Sequence, residues 1–93
     1  MRVRYRMNIT QAEFERLLPA AVAHVPIERV DGGYAGAAGA GRWRITLGPQ
    51  VEERIGLVRL PLREVEIAVD GVTEEAAAAF RRRFDLYFQK GGG

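Results

Sequence analysis

The sequence predicts an α+β fold: a two-layer sandwich in which a mainly antiparallel sheet of four or five strands carries two helices on one face. Three observations point there. Residues 2–7, 42–47 and 64–69 alternate between apolar and polar side chains, the period of a strand with one buried face. Residues 10–25 and 73–90 carry apolar side chains at helical spacing, each run opened by a threonine suited to cap a helix. Turn signals, Asp31-Gly32-Gly33 the clearest, divide the region between the helices into hairpins. The expected order is β-α-β-β-β(-β)-α.

Arg2 to Met7 directs Val3, Tyr5 and Met7 to the core and leaves Arg2, Arg4 and Arg6 outside. Thr10 then caps the first helix, Glu13 closes a capping box, and Ile9 with Phe14 supplies a hydrophobic staple. The buried arc is Phe14, Leu17, Leu18, Ala21, Val22 and Val25, and His24 stands at the end before Pro26. Pro19 removes one helical hydrogen bond, so a kink or break is expected there.

Ile27 to Val30 is a short strand. The glycine–alanine run 34–41 offers few packing side chains and reads as a weak strand that breaks into a turn near Gly39–Gly41. Arg42 to Leu47 sends Trp43, Ile45 and Leu47 inward and Arg42, Arg44 and Thr46 outward, and Gly48-Pro49 closes it.

The stretch Arg54–Asp70 has two characters. Val65, Ile67 and Val69 alternate with Glu64, Glu66 and Ala68, as in an ordinary one-sided strand. Before it, Ile55 and Leu57 occupy one face and Val58, Leu60 and Leu62 the other, so both faces are apolar and both need cover. Pro61 cannot donate to a ladder, and a bulge, a bend or a sheet edge belongs there. After the turn Asp70-Gly71, Thr73 caps the final helix, with Glu74 and Glu75 in favourable places against its dipole. Its apolar arc is Ala76, Ala77, Phe80, Phe84, Tyr87 and Phe88; Arg81 and Asp85 are spaced to pair on the wet side. Leu86 falls outside the arc. Residues 1–90 are read as one domain and Gly91–Gly93 as a flexible tail.

Composition narrows the chemistry. The chain has no cysteine and no serine and a single histidine, which removes thiolate metal sites and serine or cysteine nucleophiles paired with histidine. No catalytic, cofactor or metal residues are nominated, and His24 is read as a cap or surface residue. No apolar run is long enough for a membrane span and no signal core follows the basic N-terminus, so a cytoplasmic location is expected. Arginine, alanine and glycine are abundant, a bias read as the codon usage of a GC-rich bacterial genome. Net charge is +2, with basic ends and an acidic middle.

Two surfaces stand out. The leading expectation is a small non-enzymatic module that self-associates as a homodimer or binds a protein, using Ile55, Leu57, Val58, Leu60, Leu62 and Leu86. The second is a nucleic-acid binder using the outward Arg2, Arg4, Arg6, Arg42 and Arg44. Against it, Tyr5 and Trp43 fall on the inward register, where they cannot stack on bases, and pairing with Glu64 and Glu66 is the simpler role for these arginines. A small-ligand-binding domain or enzyme subunit, with a polar pocket near Tyr34, Arg29 or His24, ranks third.

Overall fold

The computed structural model describes residues 1–89; Lys90 and the expected Gly91–Gly93 tail lie outside them. The elements are β1 (Arg2–Met7), α1 (Gln11–Ala21), β2 (Glu28–Val30), β3 (Gly33–Ala38), β4 (Gly41–Leu47), β5 (Val51–Ile55), β6 (Val58–Asp70) and α2 (Glu74–Phe88). All strand pairs are antiparallel, in the order β1-β6-β4-β3-β2, with β5 paired to the first part of β6. The expected sandwich is present, its sheet holding six strands.

Alternation decides which face is buried. Tyr5, Met7, Trp43, Ile45, Val65, Ile67 and Val69 point to the helix layer and form the core with Phe14, Leu18 and Phe84. The capping box at Thr10 is complete, with Glu13 N–H donating to Thr10 Oγ1 at 3.1 Å and Glu13 Oε1 accepting from Thr10 N–H. Thr73 likewise caps α2 through Ala76 N–H. α1 continues past Pro19 only to Ala21, shorter than the apolar arc suggested. Ala23 and His24 then adopt left-handed φ angles of 57° and 60°, and His24 N–H reaches the Pro19 carbonyl at 2.8 Å, a tight C-terminal closure that uses no glycine.

Each helix is also pinned to the sheet by a tyrosine–carboxylate hydrogen bond. Tyr34 Oη donates to Glu15 of α1 at 2.5 Å, and Tyr5 Oη donates to Asp85 of α2 at 2.6 Å. Asp85 therefore serves the sheet as well as its 3.9 Å ion pair with Arg81.

The stretch 54–70 corrects one expectation. Ile55 and Leu57 do not share a face of one strand. The chain reverses at Gly56-Leu57, so Ile55 stands opposite Val58 on the same face and Leu57 sits at the tip. Gly56 has φ +61°, which the two-residue turn requires and a glycine supplies. β6 then runs unbroken through Pro61, which lies on a sheet edge. β1 pairs β6 only from Arg63 onward, and the Pro61 carbonyl accepts from the Asn8 side chain at 3.0 Å. The missing N–H thus faces a side where no ladder bond was due. The bulge falls instead at residues 48–50, opposite 63–64, where Gly48 N–H donates to the Glu64 carbonyl at 2.8 Å. β5 thereby continues the line of β4, and β5 with the start of β6 forms a two-stranded arm beyond the sheet. No helix among the described residues is long and apolar enough to cross a membrane.

Candidate functional site

The arm gathers the exposed aliphatic surface. Val51, Ile55, Leu57 and Val58 are four of the five exposed large hydrophobic residues among those described, and Leu57 is fully solvent-exposed. The pairs Val51 with Leu62, Glu53 with Leu60 and Ile55 with Val58 put five aliphatic side chains on one face of the arm. Its other face carries Glu52, Arg54, Arg59 and Pro61, with Glu52 lying 4.0 Å from Arg54 and 3.8 Å from Arg59. Leu60 and Leu62 are half-buried at the root. Leu86, 60% exposed, belongs to α2 in the helix layer and is not part of this patch. The outer edge of β5 has no strand partner among the described residues.

The arginine face is real but balanced. Arg2, Arg4, Arg6, Arg42 and Arg44 share the helix-free face of the sheet with Glu28, Glu64, Glu66 and Asp70. Glu66 accepts from Arg2 at 3.2 Å and from Arg4 at 3.1 Å, and Arg42 pairs with Glu28 at 3.0 Å. Arg44 donates instead to the Asp31 carbonyl. These are cross-strand pairs in open solvent, modest in strength.

Two hollows lie elsewhere. An apolar cleft of about 740 Å³ opens between the end of α1, the β3–β4 turn and the start of α2, walled by Ala21, Val22, Ala37, Ala38 and Phe80. The glycine–alanine run supplies Ala37 to Ala40 of that lining, and Ala76, expected in the core, lines the cleft too. A smaller polar pocket of about 410 Å³ lies by the bulge, between Gln11, Arg29, Tyr34, Gln50 and Arg63. It adjoins the Tyr34 and Arg29 named from sequence, while His24 is absent from its walls. Beside it, Glu15 takes hydrogen bonds from Tyr34, Gln11 and Arg29. The Tyr34 bond above all, then those from Gln11 and the charge of Arg29, hold its carboxyl below the usual value. Burial, then the bond to Glu15, pushes the Tyr34 hydroxyl up.

Arg63 is the residue that sequence reading passed over. It occupies an inward position of β6 and is 8% exposed, the one buried charged side chain among the described residues. The signal was available: in the alternation that buries Val65, Ile67 and Val69, position 63 also points inward. Among the described residues no group of three or more histidines or carboxylates gathers where a metal could sit. The chain matches no protein-family model, no curated protein and no solved structure.

Proposed function

We propose that this protein is a non-enzymatic cytoplasmic module that self-associates as a homodimer through the free edge of β5. The observation that carries the reading is the self-complementarity of that edge. Its five residues are Val51-Glu52-Glu53-Arg54-Ile55. An antiparallel copy centred on Glu53 sets Val51 opposite Ile55 of the second copy, and Glu52 opposite Arg54. Both relations occur twice across the two-fold axis, which is what an isologous contact demands. The apolar pairs fall on the face already carrying Val58, Leu60 and Leu62, and the ion pairs fall on the charged face. Backbone groups left unpaired on β5 gain partners at the same time. Glu53 meets its own copy at the centre, where Asn8 Nδ2 already donates to it at 2.9 Å and blunts the repulsion. The balanced charge of the helix-free sheet face favours this reading over nucleic-acid binding.

Light scattering coupled to size-exclusion chromatography is the direct test. A dimer is expected at micromolar concentration. Arg54→Glu sets like charges opposite each other twice and should give a monomer; adding Glu52→Arg restores opposite charges and should restore the dimer. A strict monomer at those concentrations, or a double variant no better than the single one, overturns the proposal.

A further inference from the structure

We propose a second, independent site: the polar pocket beside the Gly48–Gln50 bulge binds a small organic monocarboxylate on the guanidinium of Arg63. Arg63 is more than nine-tenths buried, yet no carboxylate of the protein lies within ion-pair distance of it among the described residues. Its single protein hydrogen bond runs from Nη2 to the neutral amide oxygen of Gln50 at 2.8 Å, and its Nε–H is buried without a partner. A buried cation in that condition is costly unless a counter-charge completes it. The larger of the two hollows it lines is polar, about 410 Å³, and within the size range of small-molecule sites.

The electrostatics select the ligand class. Arg29, the other cation on the walls, is already neutralised by Glu15. One uncompensated positive charge therefore remains, which matches a singly charged carboxylate better than a doubly charged phosphate. A guanidinium presents parallel N–H donors that fit the two oxygens of a planar carboxylate. Gln11, also on the walls, adds an amide that can engage the remainder of a small acid.

The test is titration of the intact protein, followed by the arginine Nε–H signals and backbone amides in ¹H–¹⁵N spectra. The probes are sodium acetate and sodium benzoate, with inorganic phosphate and sodium chloride at matched ionic strength. Saturable shifts centred on Arg63, Gly48 and Gln50 are expected with at least one carboxylate, at millimolar affinity. Arg63→Met, which keeps the buried stem and removes the charge, should abolish them. Arg63→Lys keeps the charge without the fork and should weaken binding at least about tenfold; it serves as the reading if the methionine variant does not fold. No saturable shift up to about 50 mM, well past the millimolar range, overturns the proposal. So does tighter binding of phosphate, or binding unchanged in the variants. The dimer test does not depend on this pocket, and neither result decides the other.

Discussion

At the scale of single residues, two positions show how closely the backbone constrains side-chain choice. Gly36 pairs with Trp43 across β3 and β4, and a Cβ there would meet the indole ring at 2.6 Å. Trp43 is fully buried and has nowhere to retreat. Gly36→Ala should therefore cost about 1–3 kcal/mol through overpacking, read as a melting temperature lower by several degrees. His24 presents the opposite case. Its left-handed φ is one that a residue with a Cβ adopts at a cost of about 1–2 kcal/mol, partly offset in glycine by chain entropy. His24→Gly should raise stability by about 0.5–1 kcal/mol, measured by urea unfolding at neutral pH. A loss of stability there would mean that the imidazole makes a contact worth more than the strain.

At the scale of elements, the arm marks where sequence reasoning was sufficient and where it stopped. Alternation located β1, β4 and the second half of β6 and placed Val65, Ile67 and Val69 correctly, because a one-sided strand has a period of two and the core reads it directly. Capping chemistry located both helix starts for a similarly local reason. The arm was misread because a single glycine, Gly56, turns the chain while its neighbours Ile55, Leu57 and Val58 look like continuous strand. Two-sided apolarity around Gly56 is the sign in the sequence of such a reversal. Position 63 is legible as inward from the same alternation, but the partners of Glu15 and Arg63, Tyr34 and Gln50, lie 19 and 13 residues away, and only the fold brings them together. The turn can be tested by itself. Gly56→Ala forces a side chain into positive φ and should destabilise the hairpin by about 1 kcal/mol. Since β5 contacts the rest of the sheet chiefly through β6, faster amide hydrogen exchange should be confined to residues 51–62. Uniform acceleration across the sheet would show instead that the arm and the core unfold together.

At the scale of the whole molecule, the two tyrosine–carboxylate pins add a pH-dependent contribution to a helix layer that the buried core holds against the sheet. Burial first, then the hydrogen bond to Asp85, pushes the Tyr5 hydroxyl up to about 12. Tyr34 is raised in the same direction. An unfolded chain releases these protons near 10, so between pH 10 and about 12 the folded state binds more protons than the unfolded one. The tyrosine contribution is complete below pH 10 and declines as pH rises toward 12. On the acid side the sign reverses. Glu15 is lowered from 4.5, so its contribution is complete above that value and disappears as pH falls through the lowered one. Thermal unfolding followed from pH 2 to 12 should thus show a plateau with two shoulders of separate origin. Tyr5→Phe, which keeps the ring packed on Phe84 but removes the bond to Asp85, should lower the plateau by about 1 kcal/mol and flatten the alkaline decline while leaving the acid limb unchanged. Glu15→Gln should flatten the acid limb, because its amide oxygen still accepts from Tyr34 but no longer titrates, and should soften the alkaline decline only to the smaller extent that the Glu15 charge helps raise Tyr34. If either variant moved both limbs equally, the pins would not act separately, and the pH range would have to reflect the net charge of the chain rather than these two contacts.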